Sequence, residues 1–222
     1  MKKTNKKLII IGGEGNGGVI ASCIDDHRKK YNDFEWEVAG FLEDSGKFEN
    51  IFGLPILGKT NDIKYFLEQD VYFMFAIHMV GKNKLNEKIY FKLNIPLDRF
   101  ATIVHKTAFV ATNVVLEPGV FVMSNAYIGH SSHVGYCSLV MANAVIGHNV
   151  IVGPLCHFTA GSMTSGYLSI GRVSSVAAGA TILGGRNIGN YSVAGAHSLI
   201  TKDIPDGEIH VGSPARFLRN TE

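Results

Sequence analysis

Cysteines, long apolar runs and clustered positive charge are all scarce in this sequence, and each scarcity excludes a class of protein. The three cysteines, Cys23, Cys137 and Cys156, are odd in number and unpatterned, which excludes a disulfide framework and favours a reduced, cytoplasmic setting. No apolar run approaches the length of a membrane span, and Leu8–Ile11 is too short for the apolar core of a signal peptide. With a net charge of +2 and no dense Lys/Arg block beyond the first seven residues, nucleic-acid binding has little electrostatic support.

A six-residue repeat runs without a gap from Val104 to the hexad that begins at Ile200. Sixteen of its seventeen first positions are apolar, most fifth positions are small, and glycine often follows the apolar residue, as in Ile146-Gly147. Such a period fits neither an α-helix nor one flat sheet, but it fits a solenoid whose coil has three short sides. The pattern predicts inward aliphatic side chains, small residues in the corners, glycines that permit the turns, and eighteen residues per coil.

Residues 1–100 follow a different pattern, in which short apolar strands alternate with helices. The strands are read from "KLIIIGG", "EVAGFLED" and "VYFMFAIH", and a helix from "GKNKLNEKIYFKL", which together are typical of a small parallel sheet. The loop after the first strand contains G-x-G-x-x-G as Gly13, Gly15 and Gly18, a spacing that suits a phosphate at a helix N-terminus. Since about a hundred residues is short for a full dinucleotide fold, we expect one nucleotide rather than NAD.

The hexads, the strand–loop–helix start and the ending "HVGSPARFL" together resemble one family over essentially the whole chain. The sequence is similar to bacterial nucleotide-sugar N-acetyltransferases and sialic acid O-acetyltransferases, through "GGEGNGG", "FLED", "GHN…CH" and "VGSPA". The resemblance implies a Rossmann-like α/β domain over 1–100 and a left-handed parallel β-helix over 101–222. It also implies acetyl-CoA as cosubstrate, a homotrimer and no metal.

The resemblance assigns the catalytic base and the CoA contacts to the repeat domain. It places the base at His148, and Asn149 stands where the family often has an acid; an amide can orient the ring but does not stabilise its charge. By the same resemblance His157 contacts acetyl-CoA, and Ala178 and Ala196 contact CoA through their backbones.

The nucleotide sugar is assigned to the N-terminal domain in the same way. The resemblance implies that the matching loop and the ends of two strands hold this ligand: Glu14, Gly15, Asn16, Glu43, Asp44 and His78.

The repeat adds its own geometry to these assignments. His130, His148 and Gly166 are eighteen residues apart, so they should stack in one column, and we expect the Gly166 N–H to serve as an oxyanion donor. His157 is one and a half hexads from His148 and lies on another face. The two histidines could share a site only between subunits, as a trimer would provide.

Several functions remain open from the sequence. The γ-class carbonic anhydrases share the prism and hold zinc with three histidines, so the set His130, His133, His148 and His157 is compatible with metal, but zinc hydration needs no nucleotide-binding domain. A non-catalytic scaffold would likewise leave the glycine loop unexplained. Within acetyl transfer a UDP-linked 4-amino sugar is the preferred acceptor, and a GDP-linked amino sugar or O-acetylation of sialic acid is the alternative.

Overall fold

The computed structural model describes residues 5–222, and its contacts divide the chain into two units. The first unit runs to Ile77 and resumes over Ile89–Ala101. The second comprises Thr102–Glu222 together with the short segment His78–Lys88. The sequence places one boundary at residue 100, whereas the contacts also group this segment with the repeats.

The first unit is built on a five-stranded sheet of order β3-β4-β2-β1-β5, parallel except for the antiparallel β3–β4 pair. Its helices and strands are β1 (Lys6–Ile11), α1 (Glu14–Tyr31), β2 (Trp36–Leu42), β3 (Asn50–Ile51), β4 (Leu54–Gly58), α2 (Ile63–Leu67), β5 (Val71–Phe75) and α3 (Asn83–Leu93), whose first part belongs to the second unit. Short 3-10 turns span Thr60–Asp62 and Leu97–Arg99. The sequence patterns do not predict β3, β4 or α2, because all three are short and Pro55 interrupts the apolar run.

Two glycines are required by the geometry where β1 meets α1: Gly12 in the loop and Gly17 in the first turn of α1. Neither belongs to the predicted G-x-G-x-x-G triplet. Gly12 has φ +129°, a conformation that side-chain-bearing residues rarely adopt. A Cβ on Gly17 would lie 3.1 Å from the Gly12 carbonyl oxygen and 3.3 Å from the Phe41 ring, so this glycine lets α1 pack closely on the sheet. Around Gly15, by contrast, a Cβ would meet nothing within 4 Å.

The second unit is a left-handed parallel β-helix, as expected. Its strands are β6 (Ile103–Val104), β7 (Phe109–Val110), β8 (Val115–Leu116), β9 (Phe121–Val122), β10 (Tyr127–Ile128), β11 (His133–Val134), β12 (Leu139–Val140), β13 (Val145–Ile146), β14 (Val150–Val152), β15 (His157–Phe158), β16 (Met163–Thr164), β17 (Leu168–Ile170), β18 (Ser175–Val176), β19 (Thr181–Ile182), β20 (Asn187–Ile188), β21 (Val193–Ala194), β22 (Leu199–Ile200), β23 (Glu208–Gly212) and β24 (Ala215–Asn220).

These strands form three stacked sheets, one on each side of the coil. The first face contains β6, β9, β12, β15, β18 and β21 and continues into β23 and the antiparallel β24; the second contains β7, β10, β13, β16, β19 and β22; the third contains β8, β11, β14, β17 and β20. From β6 to β22 each paired residue lies opposite the residue eighteen positions on, as Leu139 does with His157, whereas in the last coil Val193 pairs with Ile209, sixteen positions on. The predicted coil length is therefore confirmed.

The interior of the β-helix follows the predicted hexad positions. Ile128, Ile146 and Phe158 are fully buried in one continuous core with the other aliphatic first positions. The corner residue Cys156 is also fully buried, and its thiol donates to the Gly171 carbonyl oxygen at 3.1 Å. Burial raises the pKa of the Cys156 thiol to about 12, so it remains a packed thiol and not a nucleophile.

The expectation that the hexad glycines permit the turns is wrong, because another residue makes the turn. The left-handed residue is the fourth of the hexad, as at Asn149 (φ 55°), two residues after Gly147, and at Tyr167 (φ 54°), whose hexad has Ser165 at the glycine position. The hexad glycines are needed because neighbouring coils approach closely: a Cβ on Gly129 would lie 2.8 Å from the carbonyl carbon of Gly147. Glycine at this position therefore serves coil-to-coil packing.

Candidate functional site

His148 lies at the corner between the second and third faces, just after β13, and two aromatic rings contact its half-buried ring. The His130 ring stacks on it with a centroid distance of 5.2 Å and an interplanar angle of 5°. The Tyr167 ring meets it edge-on at 4.9 Å and 87°. The stacking of His130 and His148 predicted from their spacing is confirmed.

Asn149 determines which nitrogen of His148 can act as a base. The Nδ1 atom of His148 lies 3.0 Å from the Oδ1 atom of Asn149, so Nδ1–H donates to this amide oxygen. In the neutral imidazole the lone pair is then on Nε2. Asn149 adopts the left-handed conformation that asparagine tolerates well, and its backbone N–H donates to the His130 carbonyl oxygen at 2.9 Å.

Gly166 occupies the predicted position, one coil beyond His148 in the same column. A Cβ there would lie 2.6, 2.7 and 2.9 Å from the Cε1, Nε2 and Nδ1 atoms of the His148 ring, so the glycine lies directly over the ring face. The Gly166 N–H donates to no acceptor within residues 5–222. An N–H without an acceptor, on a residue that lies over the ring of the base, is compatible with an oxyanion donor, and this role stays a prediction.

His157 lies on β15 of the first face and is nearly enclosed. Its exposed fraction is 6%, and its ring is 5.4 Å from that of His78 between centroids. Neither ring nitrogen of His157 has a hydrogen-bond partner within the described part of the chain. Burial lowers the pKa of the His157 imidazole from 6.5 to about 4, so this ring is neutral at physiological pH.

The buried neutral state of His157 predicts a pH-dependent stability. Between about pH 6.5 and 4 the unfolded chain binds a proton at His157 that the folded chain does not, so stability is lost as the pH falls through this window, by up to about 3 kcal/mol. Urea unfolding at fixed protein concentration, at pH 7.5 and pH 5, should show this loss in the wild type and a smaller loss in His157→Leu.

The matched control for this measurement is His133→Gln. His133 is also a histidine of the β-helix, but its Nε2 lies 2.8 Å from Glu117 Oε1 on a half-exposed surface. This control should keep the wild-type loss between the two pH values at which His157→Leu differs. Equal pH dependence in wild type and His157→Leu would refute the assignment.

The segment His78–Lys88 covers His157 through contacts that sequence patterns do not reveal. The buried Asn83 amide donates to the Val173 carbonyl oxygen. Glu87 accepts from the Tyr191 hydroxyl at 2.8 Å and pairs with Arg172 at 3.2 Å. His78, assigned from the resemblance to the nucleotide sugar, thus lies against the residue assigned to CoA.

Ala178 and Ala196 lie on exposed corners one coil apart, after β18 and β21 of the first face. The Ala178 carbonyl accepts from His197 N–H at 2.8 Å. Both alanines follow strands of the face that carries His157, whereas His148 follows a strand of the second face. Within residues 5–222 no contact joins His148 to His157, so one chain does not assemble all the predicted site residues.

The residues assigned to the nucleotide sugar cluster around the start of α1. Glu14 and Asn16 are in its first turn, and the Asn16 amide donates to the Ala76 carbonyl oxygen at 3.2 Å, tying the turn to the end of β5. A Cβ on Gly13 would lie 3.7 Å from the Glu43 carboxylate, so the end of β2 adjoins this loop. The Glu14 carboxylate already lies at the positive end of the helix dipole. A phosphate bound at this end would therefore lie close to a like charge.

The two acids after β2 differ in their availability. Within residues 5–222 Glu43 accepts only local backbone bonds, from Ser45 at 2.8 Å and Gly46 at 3.2 Å. Both oxygens of Asp44 accept from Thr60, its N–H at 2.8 Å and its hydroxyl at 2.7 Å. Asp44 therefore anchors the turn before α2, and Glu43 is the more accessible of the two for a ligand.

Comparison with known proteins relates both units to one group of enzymes. The family described as the PglD N-terminal domain matches residues 7–93. No curated protein sequence matches the chain. No helix within residues 5–222 has the length and apolarity needed to cross a membrane.

Solved structures resemble the chain over nearly its full length. A mutant of perosamine N-acetyltransferase from Caulobacter crescentus, in complex with CoA and GDP-perosamine, is 25% identical with a TM-score of 0.84, and the match covers 98% of this chain and 99% of that one. The acetyltransferase domain of PglB from Neisseria gonorrhoeae, in complex with acetyl coenzyme A, is 27% identical with a TM-score of 0.82, over 97% and 100% of the two chains. Residues 7–93 thus match the PglD N-terminal domain, and the chain is similar over nearly its full length to nucleotide-sugar N-acetyltransferases of the hexapeptide-repeat family.

Proposed function

We propose that this protein transfers the acetyl group of acetyl-CoA to the amine of a nucleotide-linked amino sugar, with His148 as general base. The observation that carries the assignment is the environment of the His148 ring. Its Nδ1 is 3.0 Å from the side-chain amide oxygen of Asn149, which leaves Nε2 as the basic atom, and Gly166, whose N–H has no acceptor within residues 5–222, lies over the same ring. A base and an oxyanion donor are the two groups that acyl transfer needs, and the two residues proposed for these roles are neighbours in one column.

The chemistry follows from these two groups. The sugar amine attacks the thioester carbonyl carbon, a C–N bond forms, and Nε2 of His148 takes the proton from the nitrogen. The Gly166 N–H donates to the oxyanion of the tetrahedral intermediate. When the C–S bond breaks, the CoA thiolate leaves and takes up the proton. A positioned base contributes about 10²–10⁴-fold, and orientation of the two substrates contributes at least as much.

For acetyl-CoA, His157, Ala178 and Ala196 are the proposed contacts. A buried imidazole whose two nitrogens lack partners within the described residues is costly unless a ligand or a further subunit supplies a partner. The two alanines offer backbone groups on exposed corners of the same face.

The acceptor is proposed to bind at the start of α1, through Glu14, Gly15, Asn16 and Glu43, with Asp44 holding the adjoining turn. A UDP-linked 4-amino sugar is the favoured acceptor. A GDP-linked amino sugar is the second candidate, which the similarity to the GDP-perosamine enzyme supports. O-acetylation of sialic acid is the third. The three cysteines are buried and form no disulfide within residues 5–222, which suits the reducing cytoplasm.

A homotrimer is proposed because the site residues lie on different faces of one prism. The second face presents an apolar column outward, with Phe109, Tyr127 and Met163 exposed to 56%, 42% and 45%. Such a column is expected at a subunit interface. In such a trimer the corner that carries His148 and the CoA contacts of a neighbouring subunit would form one cleft. Light scattering measures the assembly size.

The carbonic-anhydrase alternative is disfavoured by how the histidines are used. The His130 and His148 rings are stacked in parallel, and His133 is bonded to Glu117. Metal ligands instead direct their nitrogens to one point.

A thiol-release assay tests the function. Acetyl-CoA is supplied with UDP-linked and GDP-linked 4-amino sugars and with sialic acid, and each product is identified by mass. Release with an amino sugar and an added acetamide would support N-transfer. Turnover of sialic acid alone would indicate O-acetylation in place of N-acetylation. No turnover with any amino sugar would refute the proposal.

A further inference from the structure

The His148 ring is enclosed on both of its faces by its own column. Gly166 lies over one face, close enough that a Cβ would be 2.6 Å from Cε1. His130, one coil earlier, stacks in parallel on the other at 5.2 Å. The third neighbour, Tyr167, touches the ring only with its edge. The face of His130 is therefore the aromatic surface on which the base rests.

The proposed reaction gives His148 a positive charge that no carboxylate among residues 5–222 pairs with. Asn149, which accepts from Nδ1–H, is a neutral amide. Neither His148 nor His130 forms an ion pair in the described part of the chain. On the far side, His130 Nδ1 lies 3.3 Å from the Ser131 hydroxyl, which in turn accepts from the Asn113 amide at 3.0 Å. The titratable groups in contact with the pair are thus the two imidazoles and the Tyr167 phenol.

A neutral and a charged His130 would act on the base in opposite directions. The π face of a neutral imidazole attracts a cation stacked on it, and would stabilise His148 as it takes the proton. A protonated His130 would put a like charge 5.2 Å from the developing imidazolium. The same contact therefore assists the base in one state and opposes it in the other.

We propose that His130 is a positioning residue for the base: its neutral ring supports the His148 imidazolium in place of the absent carboxylate, and its protonation switches the base off. This inference rests on the proposed role of His148. It assigns to His130 a function in the reaction that requires no contact with substrate.

Two substitutions separate stacking from titration. His130→Phe keeps an aromatic face and cannot be protonated, whereas His130→Ala removes the face. We expect kcat to fall about tenfold in His130→Ala, while KM for acetyl-CoA changes little and His130→Phe recovers most of the rate. Circular dichroism and assembly size show whether each variant is folded.

The pH profile provides a readout that a purely structural role would not change. In the wild type, the acid limb of log(kcat/KM) should steepen from a slope of one towards two, because both coupled rings must lose their protons. In His130→Phe it should keep a slope of one. Equal slopes in the two proteins, or equal kcat in His130→Ala and wild type, would overturn the proposal.

A double-mutant cycle tests whether His130 substitutes for the carboxylate. Asn149→Asp supplies a negative charge to Nδ1–H, so His130→Ala should cost several-fold less in that background than in the wild type. If His130→Ala lowers kcat by the same factor in the wild type and in Asn149→Asp, His130 does not take the place of the carboxylate.

An experiment without substrate distinguishes this inference from the function on which it rests. NMR titration of histidine-labelled protein follows the His148 ring directly. Two coupled steps in the wild type and one step in His130→Phe would support the coupling, even if no amino sugar were turned over and the acceptor assignment failed. Independent single-step titration of both rings in the wild type would overturn the inference whatever the substrate.

Discussion

Replacing His148 with alanine is expected to lower kcat by about 10²–10⁴-fold while the protein keeps its fold and assembly. The ring is half-buried at a corner, and in the described part of the chain its side-chain hydrogen bond is to Asn149 and not to the core. Its removal therefore takes away the proton acceptor without creating an internal cavity. Because CoA is assigned to other residues, KM for acetyl-CoA should change much less than kcat.

The matched control is again His133→Gln, which replaces a β-helix histidine that pairs with Glu117 on the third face. It should remain within a few-fold of wild-type kcat, with unchanged circular dichroism. His148→Gln, which retains a polar side chain of similar reach without a usable base, should resemble His148→Ala. A kcat near wild type in either His148 variant would refute the base assignment.

The column of His130, His148 and Gly166 could be predicted because a solenoid is nearly one-dimensional. Each coil contacts mainly its neighbours, so a spacing of eighteen residues converts directly into a contact, and Leu139 does pair with His157 as this rule requires. The burial of Ile128 and Ile146 follows from the same repeat.

The role of the hexad glycines was not predictable in the same way. A small residue after the apolar position is compatible with either a turn or a close approach, and only the backbone distinguishes them. The structure assigns the turn to residues such as Asn149 and Tyr167 and the close approach to Gly129. Tyr167 is 70% exposed and lies beside His148 in a left-handed conformation. No sequence pattern predicts this position.

Sequence patterns do not predict that the segment His78–Lys88 covers His157, because its contacts join residues that are far apart in the chain. Asn83 and Val173 are 90 residues apart, and Glu87 and Tyr191 are 104 apart. Neither pair belongs to a repeat or a local motif. His78 was consequently assigned to the nucleotide sugar alone, whereas the structure places its ring against His157.

Replacing Gly166 with alanine is expected to lower kcat by about 10²–10³-fold, the loss typical of a disturbed oxyanion donor. The Gly166 backbone is outside the left-handed region, so alanine causes no backbone strain there. The expected loss comes from the steric contact of the new methyl group with its neighbours. The new Cβ would lie 2.6 Å from the His148 ring, and the ring or the corner must move.

The comparison variant for this change is Gly184→Ala, one coil further in the same column. Its Cβ would meet the Gly166 carbonyl oxygen at 3.0 Å and not the imidazole, so it should cost much less in kcat. If Gly166→Ala acts only by displacing the base, the double variant with His148→Ala should be no slower than His148→Ala alone. A further loss in the double variant would indicate that the Gly166 N–H stabilises the oxyanion independently of the base. Wild-type kcat in Gly166→Ala would exclude both roles, because a displaced ring and a displaced N–H each misplace the reacting groups.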